Sequence, residues 1–91
     1  MKIVDKIQQP DLQIIKALYD KWKQTNKDRI TFDAQSYNLQ SFLSEIGMSQ
    51  ETAKHHLDNL QSFDFVTWDK DEIKLLPSGI KYSLGQFDHL Q

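Results

Sequence analysis

The sequence predicts a single, mainly α-helical domain with a small β-hairpin, which places it in the α+β class. Apolar residues recur at intervals of three and four along four segments, the spacing of amphipathic helices. Two β-rich runs flank residues 69–72 and predict a hairpin. The chain has 91 residues, of which 38% are hydrophobic and 26% charged. This length and balance are typical of one globular domain that buries a core without disulfides.

The composition excludes several classes of protein. The chain has no cysteine, which excludes disulfide frameworks, thiolate zinc sites and cysteine nucleophiles. No apolar run approaches the roughly 18 residues of a membrane span, and residues 1–12 lack the apolar stretch of a secretory signal. We therefore expect a cytoplasmic protein. The formal net charge of −2 argues against binding nucleic acid by bulk charge alone.

The first predicted helix follows a lead-in over residues 1–9. Pro10 suits the first helical position, and Asp11 complements the positive end of the helix. The helix ends in the polar run 23–29, and residues 30–32 (ITF) predict a very short strand. The predicted buried face of the helix consists of apolar residues at helical spacing, namely Leu12, Ile15, Leu18, Tyr19 and Trp22.

Residues 39–62 predict two helices joined by a tight turn, a helix-turn-helix. The apolar residues of the shorter helix are Leu39, Phe42, Leu43 and Ile46, and those of the longer helix are Ala53, Leu57 and Leu60. Gly47 ends the first helix because glycine accepts a positive φ. Met48 is expected to point into the core, and Ser49 is a good N-cap for the second helix.

The C-terminal third predicts a hairpin over residues 65–76 and a helix over residues 77–90. Residues 65–68 (FVTW) and 73–76 (IKLL) are the β-rich runs. Pro77, Ser78 and Gly79 interrupt the second strand. Apolar side chains then recur on a last helical face, at Ile80, Leu84 and Phe87.

Part of this region resembles a known superfamily. Residues 48–60 (MSQETAKHHLDNL), followed by Phe65 and Val66, resemble the recognition helix and first wing strand of winged helix-turn-helix transcriptional regulators, with the ArsR and MarR families as the closest pattern. Residues 75–82 (LLPSGIKY) resemble the segment after their wing. The resemblance covers residues 39 to about 84. It implies a single winged-helix domain over residues 1–91 and a small DNA-binding transcriptional regulator of bacterial or phage type.

Three departures from the family pattern concern the fold. Leu43 stands where a small residue is usual at the crossing of the two helices. Asp64 replaces the usual glycine before the wing strand, and aspartate tolerates a positive φ better than most residues. Leu76 stands where threonine normally caps the following helix. The resemblance therefore implies altered helix packing at Leu43 and an aspartate in a left-handed conformation at position 64.

The resemblance implies that the outer face of the helix after Ser49 enters the major groove of duplex DNA. Glutamine and asparagine can pair bidentately with adenine, whereas serine, threonine and lysine can bind phosphates or bases. Lys54-His55 takes the place of a usual Ser-Arg pair. The candidate DNA-binding residues are those of this face together with the wing-tip lysine, namely Ser49, Gln50, Thr52, Lys54, His55, Asn59 and Lys70.

The charge pattern leaves a second interpretation open. Residues 49–64 carry one lysine against three acids, a net charge of −2, and the wing tip 69–72 carries three acids and one lysine. DNA-binding wings tend to be basic. The alternative is a non-enzymatic adaptor or inhibitor that uses the same fold to bind another protein.

No catalytic residues, cofactor or metal site are predicted. The sequence has no glycine-rich phosphate loop, Ser/His/Asp order or H-E-x-x-H spacing. His55 and His56 project about 100° apart on a helix and cannot share one ion. His56 is interpreted instead as a partly buried, hydrogen-bonded structural residue.

Surplus apolar residues near the two termini suggest a homodimer. They are Ile3, Val4 and Ile7 at one end and Leu84, Phe87 and Leu90 at the other. The alternative is that both segments cover the core of the monomer.

Overall fold

The computed structural model describes residues 8–25 and 33–88 of the chain. The elements in order are α1 (Gln9–Thr25), β1 (Gln35–Asn38), α2 (Leu39–Ile46), α3 (Gln50–Ser62), β2 (Val66–Trp68), β3 (Glu72–Leu75) and α4 (Pro77–Ser83), followed by a π-helical turn over Leu84–Asp88. The protein is mainly helical with a small antiparallel sheet, which confirms the predicted α+β class. No helix in the described ranges is long and apolar enough to cross a membrane.

The hairpin is joined by a third strand, and β3 lies in the middle of the sheet in the order β1-β3-β2. Val66 of β2 and Gln35 of β1 both pair with Leu75, from opposite sides. The strand predicted at residues 30–32 lies outside the described residues. In β1, whose sequence is QSYN, partly buried and exposed side chains alternate. Burial raises the pKa of the Tyr37 hydroxyl.

One hydrophobic core joins the four helices to the inner face of the sheet. Its fully or almost fully buried members are Ile14, Ile15, Leu18, Tyr19 and Trp22 of α1, Leu39, Phe42 and Leu43 of α2, Ala53, Leu57 and Leu60 of α3, Val66, Ile73 and Leu75 of the sheet, and Ile80 of α4. Met48 and Ile46 are partly buried against it. Leu43 is therefore accommodated within the core at 2% exposure.

One expectation about a buried residue needs correction. Leu12 is only partly buried, and Ile14 takes its place in the core of α1. The buried face is rotated toward Ile14 because α1 packs against both α3 and α4. Of the aromatic residues, Trp22 and Phe42 are fully buried, whereas Phe63, Phe65, Trp68 and Phe87 are partly exposed.

The last helix begins at Pro77, and residues 77–79 form its first turn. Proline suits this position because its missing N–H would have no helical partner there. Leu76 is the N-cap and makes no side-chain capping hydrogen bond. The helix changes to π-helical geometry at Leu84, which shortens the regular α-helix predicted over residues 77–90.

Helices α2 and α3 end in the same hydrogen-bonded motif. After α2, Met48 N–H donates to the Leu43 carbonyl and Gly47 N–H to the Ser44 carbonyl, with Gly47 at φ 69°. After α3, Phe65 N–H donates to Leu60 and Asp64 N–H to Gln61. These are the paired bonds of a Schellman motif. Asp64 occupies the left-handed position at φ 64°, as the sequence predicts.

We expect Asp64→Gly to raise the free energy of unfolding by about 1 kcal/mol, because glycine adopts this conformation without the steric cost of a Cβ atom. Asp64→Ala keeps the Cβ and is expected to give no gain. Chemical denaturation of the two variants measures the difference. A stability of Asp64→Gly no higher than that of Asp64→Ala would contradict this explanation.

Candidate functional site

The start of α3 is fixed by the turn that precedes it and by its N-cap. Ser49 Oγ accepts a hydrogen bond from Thr52 N–H at 3.1 Å and donates to Thr52 Oγ1 at 2.9 Å. Gly47 supplies the left-handed residue that reverses the chain. Ser49 and Gly47 therefore define where α3 begins, and both were predicted from the sequence.

The structure separates the seven candidate residues into two groups. The exposed group comprises Ser49, Thr52, Lys54, His55 and Lys70. The other two, Gln50 and Asn59, are partly buried. Gln50 still lies at the exposed end of α3, where Gln40 Nε2 donates to its Oε1 at 2.5 Å.

Asn59 does not belong to the outer face of α3, which corrects the expectation for this residue. Its Nδ2 donates to Asp11 Oδ2 at 2.6 Å. Asn59 lies at the border of the helix face that contacts α1, so its amide is held by a buried carboxylate rather than directed to solvent.

Asp11 is the centre of a polar cluster between α1 and α3. The residue is fully buried. Its Oδ1 lies 2.8 Å from His56 Nδ1, and its Oδ2 accepts from Asn59 and from the backbone N–H of Gln8 at 3.1 Å. The Gln8 contact is the backward half of a capping box at the start of α1. A buried carboxylate needs such partners, because burial without them is costly.

This cluster joins the first turn of α1 to the middle of α3. It lines an open cleft of about 480 Å³ together with His55. Because His56 and Asn59 both lie on α3, their bonds to Asp11 fix the rotation of α3 about its own axis. Lys54 is exposed on the same helix, whereas His55 lines the cleft beside the cluster.

The sequence indicated only half of this cluster. It placed Asp11 in the first turn of a helix and described His56 as partly buried and hydrogen-bonded, and the His56 side chain is 20% exposed and bonded to Asp11. The pairing was missed because the partners are 45 and 48 residues apart. The available signal in the sequence was Asp11, a polar residue at helical spacing from the apolar face of α1.

The hairpin packs against the second half of α3 through Trp68. Its indole Nε1 donates to Asp58 Oδ1 at 3.1 Å, and its backbone N–H donates to Gln61 Oε1 at 3.3 Å. Trp68 is only partly buried. These bonds hold the hairpin against the C-terminal half of α3.

The turn at the tip of the hairpin is organised by an aspartate. Asp69 Oδ1 accepts from the backbone N–H groups of Asp71 and Glu72 at 2.7 and 2.9 Å. These two hydrogen bonds lower the pKa of the Asp69 carboxyl, because they stabilise its ionised form. The turn therefore keeps both bonds at neutral pH and loses them only as the pH falls into the acidic range.

The exposed surface of α3 and the hairpin turn is more acidic than basic. Glu51, Asp58 and the acids of residues 69–72 are all exposed, against Lys54 and Lys70. The lysines of α1 are partly neutralised, since Lys16 pairs with Asp20 and Lys21 with Glu45. Positive charge on α3 is thus confined to its N-terminal half, around Lys54.

No group of three or more histidine, aspartate and glutamate side chains that could hold a metal ion lies within residues 8–25 and 33–88. His56 is directed to Asp11 and His55 is exposed. His89 lies outside the described residues.

The C-terminal apolar residues that suggested a dimer pack on the chain's own core. Leu84 and Phe87 are both partly buried against it, and the Phe87 and Tyr19 rings are 6.3 Å apart. Phe87 also lines a groove of about 420 Å³ along α1 with Leu12. The N-terminal residues of the expectation and Leu90 lie outside the described residues, and the homodimer stays a prediction.

Comparison with known proteins gives no match to a protein-family model, to a curated protein or to a solved structure.

Proposed function

We propose that this chain is a winged-helix protein that binds duplex DNA, with the N-terminal half of α3 in the major groove, and that it acts as a transcriptional regulator of bacterial or phage type. The observation that carries the proposal is the pair α2–α3, joined by a three-residue turn and followed by a hairpin. The element order and the sheet order β1-β3-β2 support the winged-helix assignment.

The exposed chemistry of α3 supports DNA as the ligand. Ser49 and Thr52 offer hydroxyl groups and Lys54 offers a cation at the end of α3 that is nearest the turn. In helix-turn-helix proteins, this end of the second helix contacts base edges while the first helix crosses the backbone. The first turn of α2 exposes Gln40 and Ser41, both uncharged hydrogen-bonding residues, which are suited to phosphate oxygens.

The Asp11 cluster supports the same function indirectly. Base recognition requires a helix held at a defined rotation, because contacts to base edges depend on hydrogen-bond geometry. The bonds from Asp11 to His56 and Asn59 provide that constraint from the side of α3 that faces α1.

A second candidate function is favoured by the acidic half of the same surface. Asp58 and the wing-tip acids Asp69, Asp71 and Glu72 would repel phosphates. They are suited to a basic partner protein, and such a module would need no DNA. The two candidates differ in whether Lys54 contributes to binding.

The test compares lysine and histidine variants in titrations of labelled random-sequence duplex DNA at about 50 and 200 mM salt. Lys54→Ala and His55→Ala are expected to weaken binding, and Lys54→Ala is expected to reduce the slope of log affinity against log salt by about 1, the effect of one lost phosphate contact. Lys81→Ala, an exposed lysine on α4, is the matched control and should leave affinity and slope unchanged.

Unchanged affinity in both the Lys54 and His55 variants would refute α3 as the DNA-binding element. If the wild-type protein binds no duplex even at low salt, the protein-binding candidate takes the place of the DNA proposal.

A further inference from the structure

A hydrogen bond between two glutamine side chains joins the two helices of the helix-turn-helix at their N-terminal ends. Gln40 is the second residue of α2 and Gln50 the first residue of α3. Gln40 Nε2 donates to Gln50 Oε1 at 2.5 Å. Gln40 is exposed and Gln50 is partly buried. This bond limits the directions that the Gln50 amide can adopt.

The amide of Gln50 keeps the groups that a base edge requires. Its Oε1 has two lone pairs, one of which is used by Gln40, and its Nε2 has two hydrogens. Adenine presents an acceptor, N7, and a donor, the N6 amino group, in the major groove, and glutamine pairs with both. The bond from Gln40 therefore orients the Gln50 amide without removing either half of this pairing.

Other polar residues of α3 are less available for the same contact. The other two amides of α3 lie in its C-terminal half: Asn59 donates to the buried Asp11, and Gln61 accepts the backbone N–H of Trp68. Ser49 and Thr52 are bonded to each other. Of the three amide side chains of α3, only Gln50 lies at the end of the helix that is nearest the turn.

We infer that Gln50 is the residue that determines base specificity, by recognising one adenine in the bound duplex, and that Gln40 positions it. The inference rests on the proposed DNA binding by α3. The inference assigns sequence specificity, for one adenine, to a protein that would otherwise have only a general affinity for duplex DNA.

The experiment begins with selection of duplexes from a random-sequence library by the wild-type protein. Affinities are then measured for the selected duplex and for one in which a single A·T pair is replaced by G·C. The wild type is expected to prefer the A·T duplex by about 5- to 150-fold, the range of one bidentate pair. Gln50→Ala should abolish this preference by lowering the affinity for the A·T duplex to that for the G·C duplex.

Two further variants separate recognition from structure. Gln50→Glu should shift the preferred base toward cytosine, whose N4 amino group donates to a carboxylate. Gln40→Ala should reduce the preference for adenine without changing the melting temperature, a result that a purely structural residue would not give. Gln13→Ala, an exposed glutamine on α1, is the matched control.

The two proposals fail in different ways. If the wild type binds DNA but Gln50→Ala retains the wild-type base preference, the inference about Gln50 is overturned and DNA binding by α3 stands. If the wild type binds no duplex at low salt, both are overturned.

Discussion

His56→Ala is expected to lower the free energy of unfolding by about 3 kcal/mol, because it removes a hydrogen-bonding partner of a fully buried carboxylate and leaves that buried oxygen unsatisfied. Asp11 would keep its bonds from Asn59 and from the Gln8 N–H, but one oxygen would face an emptied space. For a domain with a typical stability of about 5–15 kcal/mol, this is a large fraction of the total.

The neighbouring histidine provides a matched control. His55 lies on the same helix, is exposed, and differs from His56 only in its position relative to α1. His55→Ala should change stability by no more than about 0.5 kcal/mol. Urea denaturation of both variants measures the difference, and equal losses would show that the Asp11 bond does not stabilise the fold.

A double-mutant cycle assigns the effect to the pair. Asp11→Ala removes the carboxylate and with it the cost of its burial, so Asp11→Ala combined with His56→Ala should be less destabilising than the sum of the single changes. Additive losses would mean that the two residues act independently.

Gly79→Ala is expected to destabilise the protein by about 1–3 kcal/mol, because the first turn of α4 approaches the backbone before β2 too closely for a side chain. A Cβ atom at Gly79 would lie 2.3 Å from the Phe65 carbonyl oxygen and 2.9 Å from Leu75 Cδ1. The backbone oxygen cannot move away without disturbing the bond that Leu76 N–H donates to it at 3.0 Å.

Gly85→Ala is the matched control for this change. A Cβ atom at Gly85 would meet nothing within 4 Å, and its φ is not in the left-handed range. The substitution should be neutral or stabilising by about 0.4–1 kcal/mol through the lower entropy of the unfolded chain. Thermal unfolding compares the two variants, and a Gly79→Ala protein as stable as Gly85→Ala would contradict the close approach.

The sequence predicted best those elements whose signals are local. Gly47 and Ser49 marked the limits of α2 and α3 because a left-handed residue and an N-cap act within a few residues of the chain. Asp64 was identified for the same reason. The β-rich runs of the hairpin were found with an error of one residue at each strand.

The elements that depend on distant partners could not be derived in this way. β1 has a polar sequence and exists because β3 offers it a row of backbone partners nearly 40 positions further along the chain. Asp11 is buried because His56 and Asn59 arrive from α3. Asn59 was placed on the outer face of α3 because a helical projection puts it at the border between faces, where only the packing of α1 decides its orientation.

The structure also shows where negative charge opposes the proposed DNA binding. The acids of the proposed DNA-binding surface lie mainly at Asp58 and the wing tip, whereas Lys54 lies closer to the turn. The protein therefore has one end of α3 that could approach phosphates and another that would repel them. This predicts a small number of phosphate contacts and a moderate salt dependence.

The most direct test of the central proposal is the affinity of the wild-type protein for random-sequence duplex DNA at about 50 and 200 mM salt. With about three phosphate contacts, binding is predicted to weaken roughly 40-fold over this interval, since the slope of log affinity against log salt is about −0.9 for each contact. No binding at the lower salt concentration, or an affinity that does not change between the two, would contradict DNA binding by α3.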